Sequence, residues 1–214
     1  LILPRRYLVE VMKSCRVLLL DFWIAHFIPD KVYHRHVCVT DYNNLSETEK
    51  FMLIGLMSDT HNNRPGVRYA LDIFDALGIE VILHAGDLIS AQILDELTDF
   101  SLFLSFGNGD DPLIIASKAG SVSENIVCDE MLDLRLAGKR IFLIHGDYRT
   151  EQEKRIESGD YDYVIHGHTH RFRDERIGST RVINPGALGG RYIGERSFAT
   201  LDLVKNELQR YFIP

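Results

Sequence analysis

The chain has 214 residues, enough for one domain with an appendage, and its 45% hydrophobic and 26% charged content is that of a globular protein rather than a disordered or collagen-like one. A formal charge of -7 speaks against nucleic-acid binding by a broad basic face, because phosphate neutralisation supplies most affinity of that kind. Cys15, Cys38 and Cys128 form no C-x-x-C pair and exclude a disulfide scaffold, so a reducing cytoplasm is the expected compartment.

Residues 1–51 show no regular rhythm and carry seven Lys/Arg against six Asp/Glu, leaving the acidic excess to the rest of the chain. Their longest apolar run, Val17 to Ile28, contains Asp21 and His26 and is shorter than the roughly 18 residues a membrane-spanning helix needs. Arg5 and Arg6 precede this stretch, but with Asp21 interrupting it and no small-residue cleavage site a signal peptide is not expected. The cluster Leu18, Leu20, Phe22, Trp23 and Phe27 is expected to pack on the following domain or against a second copy in a homo-oligomer, since so large an apolar patch is a liability in water. The segment is treated as an N-terminal extension, 1–51, with the domain proper starting at Met52 and running to residue 214.

From Met52 onward strands and helices alternate. Leu53 to Met57 is a continuous apolar run, the mark of a strand buried on both faces. Val67, Ala70, Leu71, Phe74 and Leu77 fall three or four apart, one face of a helix stopped by Gly78. A second strand is predicted at 80–84, a helix at 90–97, and strands at 101–106, 125–128, 131–136 and 140–144. A charged helix at 150–158 leads to a strand at 163–165. The tail holds strands at 172–177, 181–183, 197–203 and 208–212, which read as antiparallel. Alternation followed by strands in succession predicts two packed mixed sheets with helices on their outer faces, an α/β/β/α sandwich of four layers.

Just past the strand ends stand Asp59-Thr60-His61, Gly86-Asp87, Gly107-Asn108-Gly109-Asp110, His145-Gly146 and Gly167-His168-Thr169-His170. In an open α/β sheet those ends converge on one rim, so five loops can deliver ligands to one point. Each tripeptide alone is a weak signal; their ordered recurrence in one structural context is a strong one. Imidazole, carboxylate and amide oxygens without a thiolate suit borderline divalent ions such as manganese, iron, zinc, nickel or cobalt. A structural zinc site would instead show four Cys/His ligands at short spacing. The absence of a G-x-S-x-G elbow and of a P-loop agrees with metal-activated water as the nucleophile.

Carrying D-x-H, G-D, G-N-x-D, a later H and G-H-x-H in register, the segment 52–214 resembles the calcineurin-like metallophosphoesterase superfamily, in particular its small prokaryotic phosphodiesterase branch. The resemblance implies two divalent ions per chain. Manganese is the first choice, with nickel, zinc, iron, cobalt or magnesium as alternatives. One ion would be held by Asp59, His61, Asp87 and His170 and the other by Asp87, Asn108, His145 and His168, with Asp87 bridging. It also implies in-line attack by a hydroxide between the metals, on a small phosphodiester or nucleotide-like substrate, with activated monoesters as further candidates. Asp87, Asn108, His168 and Asp110 are the catalytic candidates, and for Asp110 a weak acid, a support for the cage and a turn-forming residue all remain open. Many larger superfamily members carry a histidine directly after the motif asparagine. Here that position is Gly109, which points to diesters or activated esters rather than simple alkyl monoesters.

For His84 and His166 a structural strand-end role is expected, for Arg64 solvation of a helix start, and for Tyr161, Tyr163 and Tyr192 packing. Asn184-Pro185-Gly186-Ala187 resembles a family turn that shapes the rim of the site. A competing function is a non-catalytic scaffold, like the retromer subunit of this architecture. That subunit lacks part of the histidine set, whereas here every ligand position is filled. Binding of nucleic acid or of a membrane is not expected.

Overall fold

In the computed structural model the run Leu53–Met57 is strand β1, its neighbours being β2 (Val81–Ala85), parallel to it, and β10 (Ser197–Asp202), antiparallel. The structure describes residues 52–191 and 193–214, and the expectations for the segment 1–51 and for Tyr192 fall outside them. Flanked by strands at both edges and covered on both faces, Ile54 and Leu56 on one and Met57 on the other, β1 is apolar throughout. Beyond β2 lie β3 (Ser101–Ser105) and β4 (Ile126–Asp129), and beyond β10 lies β11 (Glu207–Phe212), giving the order β11-β10-β1-β2-β3-β4. A second sheet has the order β5-β6-β7-β9-β8, from β5 (Met131–Leu136), β6 (Lys139–Ile144), β7 (Tyr163–Ile165), β8 (Arg173–Ile177) and β9 (Thr180–Asn184).

The side-chain period of two divides each strand between two cores. Ile54 and Leu56 of β1 meet Ile141 and Leu143 of β6 in the core between the sheets. Met57 turns the other way, towards Val67, Ala70 and Phe74 of helix α1 (Arg64–Ala76). On the far face of the second sheet Phe142 and Ile144 pack with Ile156 of α3 (Arg149–Ser158). The result is the expected four-layer α/β/β/α sandwich of two mixed sheets. No helix among the described residues is long and apolar enough to cross a membrane.

Two elements differ from expectation. The predicted helix at 90–97 is a 3₁₀ turn, Ala91–Glu96, with the tight Ile93 N–H to Ser90 carbonyl and Leu97 N–H to Leu94 carbonyl bonds of that form. Helix α2 (Pro112–Val122) has no counterpart among the predicted elements. Its apolar residues do not gather on one face: Leu113 is 82% and Ile114 59% exposed, while Ile115 and Ala119 are buried. The signal that does mark it is at its start, where the Asp111 carboxylate accepts from the N–H groups of Leu113 and Ile114 and Pro112 takes the first position.

The C-terminal hairpin is joined to α1 through aromatic rings. Phe74 meets Phe198 of β10 edge-on at 5.4 Å, and Phe198 stacks on Tyr211 of β11 at 5.2 Å. Phe198 is fully buried, so Phe198→Ala is expected to lower stability by about 3–5 kcal/mol. Urea unfolding of the metal-free protein checks this, and a loss under about 1 kcal/mol would contradict the assigned packing.

Candidate metal centre

Strands β1, β2 and β3 run parallel in the first sheet, as do β6 and β7 in the second, so the loops after all five open on the same rim. Keeping their side chains there puts backbone into an unfavourable region. Asp59, His61, Asp87, His168 and His170 have φ of 50°, 43°, 57°, 64° and 57°, the left-handed range that non-glycine residues rarely occupy. Hydrogen bonds between loops hold them there: Asp59 N–H to the Gly86 carbonyl at 2.9 Å, His61 N–H to the Asp87 carbonyl at 3.1 Å, and Gly189 N–H to the Asp59 carbonyl at 2.8 Å.

One ligand-type atom from each of Asp59, His61, Asp87 and His170 lies within 4.8 Å of the others. His170 Nε2 stands 3.2 Å from Asp59 Oδ1 and 3.1 Å from His61 Nε2, which is in turn 3.6 Å from Asp87 Oδ2. On the other side of Asp87, His145 Nε2 is 3.6 Å from Oδ1 and 3.2 Å from His168 Nδ1. His145 Nδ1 donates to the Ala85 carbonyl at 2.8 Å, which leaves the Nε2 lone pair free and turned towards Asp87. Asn108 sits between Gly107 and Gly109 with its side chain exposed, and no hydrogen bond among the described residues ties it to the cluster. The structure thus gathers six of the seven predicted ligands by side-chain contact and leaves Asn108 at the edge.

The donor set fits divalent cations. Asp59 and Asp87 are 0% and 5% exposed and face one another among imidazoles, an arrangement of like charges that a cation relieves. Burial alone would raise the Asp59 carboxyl, but its hydrogen bond with His170, the proximity of His145 and the Ser58 hydroxyl hold it below the ordinary carboxylate value. The same contact with Asp59 raises His170 above the ordinary imidazole value. Ser58 Oγ is 2.7 Å from Asp59 Oδ2 and 2.6 Å from the Gly186 carbonyl, and the His168 N–H reaches the Asp59 carboxylate at 3.1 Å.

Asp110 accepts three backbone N–H groups, those of Asp87 and Gly107 on Oδ2 at 2.9 and 2.8 Å and that of Ile89 on Oδ1 at 2.7 Å. Both oxygens are therefore engaged in holding the loops around Asp87. Gly109 N–H donates to Asp87 Oδ1 at 2.8 Å. A β-carbon at Gly109 would fall 2.5 Å from the Ile89 δ-methyl and 3.1 Å from Asp87 Oδ1, so the bare residue is what lets this loop close on the carboxylate.

The remaining residues have structural partners. Arg64 pairs with Glu96 at 2.6 Å, and Tyr161 and Tyr163 are buried in cores. Asn184 donates to the Gly167 carbonyl at 2.7 Å and Thr169 Oγ1 at 3.1 Å and accepts from Gly186 N–H at 2.9 Å, so it ties down the loop carrying His168 and His170. His84 contacts Thr60 Oγ1 at 2.7 Å, and its buried Nδ1 has no partner among the described residues. Burial depresses both His84 and His166 to about 4.

Carboxylates and imidazoles gathered at the strand ends of a four-layer sandwich are the arrangement of a metallohydrolase. Residues 52–206 match the calcineurin-like phosphoesterase superfamily domain, and the chain belongs to that family. It is 32% identical over 159 residues to a phosphodiesterase of Methanocaldococcus jannaschii, covering 73% of this chain and 96% of that protein. A solved archaeal phosphodiesterase superposes with a TM-score of 0.72 at 31% identity, over 76% of this chain and all of the other. A phosphoesterase from E. coli shares the fold, with a TM-score of 0.55 at 18% identity over 76% of this chain and 100% of that one. The protein is a hydrolase of phosphoester bonds.

Removing the charge and one acceptor at Asp110 should loosen the loops around Asp87. Asp110→Asn is expected to weaken divalent-metal binding about 10- to 100-fold in a direct titration, and unaltered affinity would dismiss the supporting role. The two buried histidines set a pH window. Unfolded, each binds a proton near pH 6.5, and folded only near 4, so between these values the unfolded state holds more protons. Their contribution is complete above 6.5 and is lost as the pH falls towards 4. The urea midpoint of the metal-free protein should fall across that window and fall less steeply in His84→Gln; equal slopes would refute neutral burial of His84.

Proposed function

We propose that residues 52–214 form a dinuclear metal-dependent phosphodiesterase acting on small, nucleotide-like diesters, with activated monoesters as secondary substrates. The observation that carries this reading is the cluster of Asp59, His61, Asp87 and His170 within 4.8 Å, with His145 and His168 on the other side of the same Asp87. One ion would be held by Asp59, His61, Asp87 and His170. The second would be held by Asp87, Asn108, His145 and His168, with Asp87 shared; the family resemblance makes manganese the first choice, and nickel, zinc, iron, cobalt or magnesium the alternatives. When bound, such a pair activates water at neutral pH and neutralises phosphoryl oxygens.

The protein's own residues prepare that site. Ser58 Oγ and the His168 N–H fix the Asp59 carboxylate, Asp110 and the Gly109 N–H fix Asp87, and the Ala85 carbonyl fixes the His145 tautomer. Asn108, exposed at the rim, is free to turn towards metal and substrate together. Asp110 acts as a positioning residue, since both its oxygens already accept backbone N–H groups. With Gly109 after Asn108 and His84 buried, neither position offers a proton to a poor leaving group. The preference for diesters and activated esters follows.

With the metal-loaded protein, kcat/KM for an aryl phosphodiester is expected to exceed that for glycerol phosphate by at least about 100-fold, the lower range of general-acid assistance. Asp87→Asn serves as the control and should lose the metal-dependent turnover. Comparable rates on the two substrates would end the diester assignment, and full activity in Asp87→Asn would remove Asp87 from the bridging role.

A further inference from the structure

Beside the cage lies a cavity of about 710 Å³ that none of the preceding roles uses. Helix α3 contributes Arg149, Gln152 and Ile156 to it and edge strand β8 contributes Arg173 and Ile177, while His168 and Thr169 border it at the metal end. Among the described residues one ten-residue helix covers this face of the five-stranded sheet. Ile156 of α3 packs with Phe142, Val164 and Val182, on strands β6, β7 and β9, and no described residue beyond the groove lining covers the β8 side.

One polar side chain of this groove has hydrogen-bonding capacity to spare. Gln152 is 8% exposed and its side-chain amide makes no hydrogen bond among the described residues, yet neither amide atom is a fully buried one without a partner, so the amide is open to a ligand in the groove. Gln152 Oε1, His166 Nδ1 and His168 Cβ stand 3.4, 3.5 and 3.6 Å from the point where a β-carbon on Gly146 would be. The unpartnered amide therefore shares one bare corner with a residue of the cage.

An amide offers one donor edge and one acceptor edge, the complement of the amide-type edge of a nucleobase. Ile156 and Ile177 supply apolar flanks for a planar ring. The charges along the groove balance, Arg149 and Arg173 against Glu153 and Glu157, with Arg173 also paired to Glu175, so nothing there selects a second anion. The volume falls within the range of about 300–1,000 Å³ typical of small-molecule sites.

We propose that this groove is the subsite for the organic group of the diester and that it takes a nucleoside, with Gln152 reading the amide edge of the base. The proposal rests on the phosphodiesterase reading above, because His168 is what joins groove and cage.

Two measurements on the full chain test it. Thymidine is titrated calorimetrically into the metal-free protein, and kcat/KM is compared in the metal-loaded protein for thymidine 5′-(p-nitrophenyl phosphate) and methyl p-nitrophenyl phosphate, which share a leaving group. Thymidine is expected to bind saturably, and the nucleoside ester to be preferred by about tenfold or more, the worth of a hydrogen bond with ring contact. Gln152→Leu and Ile177→Trp, the second filling the groove from an exposed strand, should bring that ratio towards one and weaken thymidine binding. Equal kcat/KM for the two esters with no thymidine binding overturns the groove assignment and leaves the phosphodiesterase reading standing. Saturable thymidine binding with no turnover of either ester keeps the nucleoside site and overturns the phosphodiesterase reading. Should Gln152→Leu fail to fold, Ile177→Trp decides alone, and an unchanged ratio and affinity in it overturns the proposal.

Discussion

Two carboxylates buried against each other are the constraint around which the rest of this protein is arranged. Asp59 and Asp87 are withdrawn from water at the meeting point of two sheets, where their mutual repulsion has little solvent to screen it. Such a pair persists only where hydrogen bonds and positive charge are built in beforehand. Ser58, the backbone amides of His168 and Gly109, and the imidazoles of His170 and His145 surround the pair, from four different loops. The sandwich brings those loops to one rim, because the strands that precede them run the same way within each sheet.

Precision at that rim is obtained with locally unfavourable backbone. Five of the candidate ligands have positive φ, and none of them is glycine. Inter-loop bonds from the Gly86, Asp87 and His145 carbonyls, together with Asp110 and Asn184, over-determine these conformations. Ile89 carries the same strain at φ 71°, held by the Asp110 carboxylate, and its δ-methyl fills the space beside Gly109. The absence of a side chain at that position is thus a packing requirement as well as a chemical one. Strain, hydrogen bonding and chemistry are concentrated on the same dozen or so residues. Among the described residues the outer face of the second sheet is covered by one helix, and beside it runs a groove that starts at His168.

Much of this was legible in the chain. Runs such as Leu53–Met57 and Tyr163–Ile165 occupy the predicted spans, because burial on both faces writes a continuous apolar signal that needs no tertiary knowledge; Met131–Leu136 does so through the alternation of an edge strand, with Asp133 and Arg135 less buried than their neighbours. Helix α2 was not legible from periodicity, since Leu113 and Ile114 face outwards and leave no apolar stripe. The tail strands were recognisable as strands but not by sheet. β8 and β9 join the second sheet while β10 and β11 return to the first, and an alternating pattern is the same for either partner. Gln152 carried no signal, because a single polar residue in a charged helix reads as solvated until packing buries it.

The sequence by itself determined the kind of donor at each strand end and the order of the five motifs, because ligand chemistry belongs to residue type and strand ends are written in local apolar runs. Only the tertiary structure decided which donors meet. Distances between His145 and His168, or between Asp59 and His170, depend on two sheets packing face to face. The same holds for Asp110, whose contacts with three backbone amides join residues 21 to 23 positions apart as well as one three away. Contacts between residues distant in the chain arise from burial summed over the whole core, and no local pattern encodes that sum.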